Sequence, residues 1–183
     1  MLKSHIMKNL HDPKVKRITG ILYPIDREDL LQWSVDELAK LWGRPEIFSR
    51  SVPFDKTNYY DEIAPNLTRI FLCFPGLVNA GGLADWKHEA INIEAQSRSP
   101  IRAVNIDPGY VDGARLILAS TKDHAHRIYL RDGIYGEVTM RYRFKQWQSF
   151  DYTFPDFHSG VYDEFLSQVR RLWLQEIKEY RDE

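Results

Sequence analysis

Leu67-Thr-Arg-Ile-Phe-Leu-Cys-Phe74 is a β-rich, almost wholly apolar run, and it follows the strand-like run Ile47-Phe-Ser-Arg-Ser-Val52 with no helical pattern between them. The connection contains Asp55, Asn58, Asp61, Pro65 and Asn66, which suits a long polar loop joining an antiparallel pair. Upstream, Arg17-Ile-Thr-Gly-Ile-Leu-Tyr23 reads as a buried strand closed by Pro24. Leu31, Val35, Leu38 and Trp42 then recur at helical spacing, with Asp26 offered as a cap and Gly43 and Pro45 as the stop. Downstream, Leu83, Trp86, Ala90 and Ile93 mark a second amphipathic helix, and Ile101-Arg-Ala-Val-Asn-Ile106 reads as a fourth strand. The order is βαββαβ, which predicts an α+β fold with a ferredoxin-like core: two helices covering one face of a four-stranded sheet.

The rest of the chain predicts an added C-terminal β-hairpin and helix. Periodicity leaves 114–120 open between strand and helix. His126-Arg-Ile-Tyr-Leu130 and Ile134-Tyr-Gly-Glu-Val-Thr-Met-Arg-Tyr-Arg-Phe144 flank Arg131-Asp-Gly133, which suits a three-residue loop with Gly133 left-handed. That register sets Leu130 against Ile134, Ile128 against Gly136, Tyr129 against Tyr135 and Arg127 against Glu137. Tyr162, Leu166, Val169, Trp173 and Ile177 define the final helix. Residues 1–14 show no periodicity and are expected to fray, leaving 15–183 as one domain, the size expected from 183 residues.

Composition narrows the function classes. With 43% hydrophobic and 28% charged residues the chain is expected to fold alone, and a net charge of −1 provides no global field for nucleic acid or an anionic membrane. Any such contact needs a local patch. Cys73 is the only cysteine, so an intramolecular disulfide is excluded, a cysteine-based zinc site lacks ligands, and a reducing compartment fits. Without a signal-peptide pattern or an apolar run of about 18 residues, the expectation is a cytoplasmic protein with no membrane partner.

The densest chemistry lies in Lys122, His124, His126 and Arg127, with Glu137, Arg141 and Arg143 across the hairpin. Lysine and arginine together hold phosphate or carboxylate, while His126 or Glu137 can move a proton. The bland alternatives are an Arg127–Glu137 cross-strand ion pair and a hydrogen-bonded core histidine. In Asn105-Ile-Asp-Pro-Gly-Tyr110, Pro-Gly after a strand predicts an abrupt turn that sets Asp107 at the strand's carboxyl end, where a carboxylate faces a crevice. The same tripeptide is also an ordinary turn. Val52-Pro-Phe-Asp55 followed by Tyr59-Tyr60 offers a ligand-orienting carboxylate or, by the simpler reading, a turn cap. His124, His126 and Asp107 make only a weak imitation of a metal site, so none is assigned. Walker, Gly-x-Gly-x-x-Gly, His-Glu-x-x-His and nucleophile-elbow patterns are absent from the sequence.

These same segments carry a family resemblance. Val52–Asp55 with Tyr59-Tyr60, Asn105–Tyr110, the run into Thr121-Lys122, His126–Leu130 with Gly133–Thr139, and Tyr152-Thr-Phe-Pro-Asp156 resemble the family classed as domain of unknown function 4416, over about residues 16–174. The chain departs from that pattern at Ile106, Gly136 and Val111-Asp112. The resemblance implies no activity or cofactor, but it ties Asp55, Asp107, Lys122, His126, Arg127, Glu137 and Asp156 to shared motifs and so implies one pocket.

The leading expectation is therefore a site for a small-molecule or nucleotide-like anion, extending to acid/base or phosphoryl chemistry. Lys122, Arg127, Asp55, Tyr110 and Asp156 are the candidate ligand-binding residues, with His126, Asp107 and Glu137 as candidate catalytic groups. The rival is a non-catalytic module that binds RNA or protein through an open sheet face and the aromatics Trp147, Phe150, Tyr152, Phe154 and Phe157.

Overall fold

The computed structural model describes residues 12–54, 63, 65–97 and 102–182. It is a mixed α+β protein. The strands are β1 (Lys14–Pro24), β2 (Ile47–Phe48), β3 (Val52–Phe54), β4 (Leu67–Asn79), β5 (Asn105–Val111), β6 (Arg115–Ser120), β7 (Arg127–Arg131), β8 (Ile134–Arg143) and β9 (Gln146–Ser149). They form one antiparallel sheet in the order β2-β4-β1-β5-β6-β8-β7, with β3 also beside β4 and β9 also beside β8. The helices are α1 (Glu28–Trp42), α2 (Leu83–Gln96), the single turn α3 (Pro155–His158) and α4 (Asp163–Asp182).

Helices cover both faces of the sheet. Ile21, Tyr23, Ile70, Leu72, Phe74 and Ile106 pack with Leu38 and Trp42 of α1 and Ala90 and Ile93 of α2. Their neighbours in alternation, Ile18, Phe71, Cys73, Val111, Leu116 and Met140, pack with Phe165, Leu166 and Val169 of α4. Two covered faces explain why Leu67–Phe74 reads as a continuous apolar run instead of an alternating one. Trp42 meets Phe74 edge-on at 5.0 Å and 89°, a favoured aromatic geometry. Beneath α4, the fully buried Lys16 bonds Glu46 at 2.7 Å and Glu176 at 2.8 Å. Burial there pushes the neighbouring Cys73 thiol up to about 12, so this thiol is inert.

Several boundaries differ from the sequence expectation for identifiable reasons. Lys14, assigned to the fraying segment, already pairs with Asn79 in β1, while residues 1–11 lie outside the described residues. Arg27, not Asp26, is the N-cap residue of α1 and makes no side-chain cap bond, whereas Gly43 ends the helix at φ +84 with its N–H on the Ala39 carbonyl. Ile47–Val52 is not one strand, because β2 stops at Phe48 and β3 starts at Val52, both on β4. Residues 114–120 settle as a strand from Arg115.

The most consequential correction concerns Asp107-Pro108-Gly109. It is not a turn but lies inside β5, opposite Gly20, Thr19 and Ile18 of β1. Proline is tolerated because β6 joins β5 only from Gly109 onward, so at Pro108 the strand has a single neighbour.

The β7–β8 hairpin keeps the expected Arg127–Glu137, Ile128–Gly136 and Tyr129–Tyr135 pairs. Its loop is two residues rather than three, since Asp132 and Gly133 both have positive φ, +51 and +75, and Arg131 pairs with Ile134. A bulge at Leu130 absorbs the difference, so the Leu130–Ile134 pair does not form.

Candidate functional site

Strands β5 and β6 pair only through Gly109–Leu118, Tyr110–Ile117 and Val111–Leu116, yet β5 begins at Asn105 and β6 runs on to Ser120. Beyond Gly109 they part, and the sheet opens into a cleft with two lobes of about 490 and 470 Å3, including their open mouths. Gly109 is the pivot of this splay. A Cβ there would lie 2.2 Å from the Ile117 carbonyl oxygen and 2.6 Å from Leu118 Cδ2, a closeness that only glycine permits.

A parted strand leaves backbone groups without ladder partners, and burying them unpaired is costly. Two charged side chains of α2 take the place of β6. Lys87 Nζ donates to the Ile106 carbonyl at 2.7 Å, and the Ile106 N–H donates to Glu94 Oε1 at 2.7 Å. Both side chains are buried, and Lys87 also bonds Asp107 Oδ1 at 3.0 Å. Asn105 Nδ2 donates to the other Asp107 oxygen at 2.6 Å, and Arg102 donates to Asn105 at 3.0 Å and Glu94 at 3.3 Å.

Burial works to raise the Asp107 carboxyl, but the charges of Lys87 and Arg69 and the bonds from Lys87 and Asn105 outweigh it and hold the group below its ordinary value. Glu94 goes the other way, because burial outweighs Lys87 and the Ile106 N–H. Asp107 thus contributes stability that is present above the usual carboxylate range and is lost as pH falls through its lowered value, whereas the Glu94 contribution is lost as pH rises. Asp107→Asn is expected to cost about 1.5–3 kcal/mol at neutral pH. Its stability should also fall less steeply than wild type in urea titrations below about pH 5.

The other wall comes from β4, β7 and β8. Glu137, buried, accepts from His126 Nε2 at 3.0 Å, Arg127 Nε at 2.8 Å and Thr139 Oγ1 at 3.3 Å. Arg127 also bonds the Lys122 carbonyl at 3.0 Å, which fixes the loop before β7. Arg69 reaches the cleft from β4 and bonds the buried Asp156 at 2.7 Å, with Tyr162 Oη on the same carboxylate oxygen at 3.0 Å. The Arg69 guanidinium lies 4.3 Å from the Phe54 ring and 5.7 Å from those of Phe154 and Phe157.

Of the residues singled out in the sequence, Asp107 and Arg127 line both lobes, Glu137 the first and Lys122 the second. Asp156 stands behind Arg69. His126 lines neither lobe; it braces Glu137 from behind, stacked on Tyr152 with ring centroids 4.2 Å apart. Tyr110 lies in another, more apolar groove with Leu83, Ile117 and Val138. Asp55, Tyr59 and Tyr60 lie outside the described residues.

Sequence reasoning missed Arg69, Lys87, Glu94, Asn105 and Arg102. Three of them left a signal: Leu83, Lys87, Ala90 and Glu94 follow helical spacing, so a lysine and a glutamate sit within the buried stripe of α2. Arg69 likewise interrupts the apolar run of β4. Among the described residues, no group of three or more histidine, cysteine, aspartate and glutamate side chains is placed to hold a metal ion.

Fold and cleft together define a mixed α+β protein whose antiparallel sheet is parted by a charged crevice. The family described as Domain of unknown function (DUF4416) matches residues 13–173, and the chain belongs to it. No curated protein and no solved structure matched the chain.

Proposed function

We propose that the protein binds a small anion, or the anionic group of a larger metabolite, in the cleft between β5 and β6. The observation that carries this reading is charge. The two lobes are lined by five cationic side chains, Arg69, Lys87, Arg102, Lys122 and Arg127, and by three carboxylates, Glu94, Asp107 and Glu137. Cationic side chains fixed between low-dielectric walls, as Arg69 is by Asp156 and Arg127 by Glu137, bond an anion more strongly than the same groups in water. Lys122, exposed in the turn before β7, and Arg127, at the start of β7, would contact the ligand directly.

The carboxylates suit orientation better than proton transfer. Glu137 already accepts from three donors and Asp107 is held ionised between Lys87 and Asn105, so each fixes cations in place. Acid/base chemistry would fall to His126, whose Nε2–H is committed to Glu137, through its other nitrogen and a movement of the loop before β7. We further read β1–β5 with α1 and α2 as a ferredoxin-like core. The strand order β2-β4-β1-β5, with both helices on one face, supports this. The RNA reading would need sheet surface clear of α4, which packs against β1, β4 and β5.

The test is ligand-induced thermal stabilisation over a panel of phosphate, pyrophosphate and small di- and tricarboxylates. Wild type is expected to be stabilised by at least one of them, with Lys122→Ala/Arg127→Ala weakening the effect tenfold or more in ligand concentration. Equal stabilisation of both proteins would remove these residues from the site, and no stabilisation by any anion of the panel would count against the reading itself.

A further inference from the structure

Hairpin β8–β9 turns through Phe144 and Lys145, both with positive φ, +52 and +62. Asn-Gly makes such a turn most readily, whereas a bulky L-residue is disfavoured there. Phe144 is nevertheless 75% exposed, with the Arg143 guanidinium 4.6 Å from its ring. A chain that keeps an aromatic ring at a strained and solvated turn displays it at a cost to stability.

The surroundings of that ring are cationic. From Val138 to Phe150 the sequence has no carboxylate but contains Arg141, Arg143 and Lys145. None of the three has an ion-pair partner among the described residues. Pairing sets Arg141 opposite Gln148 and Arg143 opposite Gln146, giving an outward face of cations alternating with amides. At the far end of this face Arg141 lies 5.5 Å from the Phe150 ring. From Phe150 a column of near-parallel rings runs through Tyr152 and His126 to the exposed His124, with centroids 5.2, 4.2 and 5.7 Å apart.

We propose that this strip, which meets the loop bordering the cleft only at its His124 end, binds single-stranded nucleic acid. Arg141, Arg143 and Lys145 take backbone phosphates, while Phe144 and the outer face of His124 take bases. Amide side chains between the cations suit base edges, which a bilayer does not offer. A single ring at a turn is also too small an apolar face for interfacial anchoring.

The experiment is fluorescence anisotropy of labelled oligouridylate and oligothymidylate of about twelve nucleotides. Wild type is expected to bind both, or oligouridylate in preference if the 2′-hydroxyl is contacted, with log K falling against log salt at a slope of about −2 for three phosphate contacts. Arg141→Gln/Arg143→Gln/Lys145→Gln should lose that slope and at least tenfold in affinity. Phe144→Asn/Lys145→Gly should bind more weakly yet melt a few degrees higher, a combination that mere unfolding does not produce. Absence of binding at low salt, or unchanged affinity in the triple variant, overturns the proposal. So does cosedimentation with phosphatidylserine vesicles that the triple variant loses while oligonucleotides bind neither protein.

Discussion

Gly109→Ala is expected to destabilise the protein by about 3 kcal/mol or more, enough to lower its melting temperature by roughly 10 °C or to prevent soluble expression. The added Cβ would fall 2.2 Å from the Ile117 carbonyl oxygen. That oxygen belongs to the backbone of β6 and cannot swing away as a side-chain tip would. Relief requires β5 and β6 to separate, but only three residue pairs join them. The added atom would therefore unzip the junction that links the first half of the sheet to the second. Gly81→Ala is the control, since a Cβ there meets nothing within 4 Å, and it should melt close to wild type. If the two alanine variants melted together, the close approach at Gly109 would be wrong and the cleft beside it with it.

Asp156→Ala is expected to cost about 3–5 kcal/mol, the range for removing one partner of a buried ion pair. Its carboxylate bonds the Arg69 guanidinium, both side chains are almost fully buried at 6% and 5% exposure, and Tyr162 donates to the same oxygen. Alanine would take the Asp156 carboxylate away from a guanidinium buried among Phe54, Phe154 and Phe157. Combining it with Arg69→Met should recover much of the loss, because the double variant strands no charge in the interior. Chemical denaturation of the two single variants and the double gives the coupling directly, and additive losses would contradict the account. The double variant should still bind anions less well, since it removes a cation from the cleft wall.

Legibility in the sequence followed the strength of local rules. Helix α1 was plain because Leu31, Val35, Leu38 and Trp42 keep one period and Gly43 stops them. The β7–β8 register was plain because apolar and charged partners sort onto opposite faces, although the loop length was misjudged for want of a bulge at Leu130. Asp107-Pro108-Gly109 misled because proline and glycine usually punctuate a chain, while here tertiary context uses both inside a strand. Proline fits where β6 has parted, and glycine fits where β6 presses closest. At the site, a cluster including Lys122, Arg127 and Glu137 was visible because its members lie close in sequence. Arg69 and Lys87 come from distant segments, and each stood out only as a charge set in an apolar pattern.

The proposed anion binding rests on the parted sheet gathering cationic side chains from separate segments into one crevice. A 1H–15N NMR titration of the full chain with pyrophosphate tests it most directly. The account predicts saturable shifts concentrated in the amides of Asn105–Gly109, except Pro108, and in those of Ser120–Arg127, with Lys122→Ala/Arg127→Ala responding weakly. Shifts scattered over surface lysines and arginines, unchanged in that variant, would contradict it.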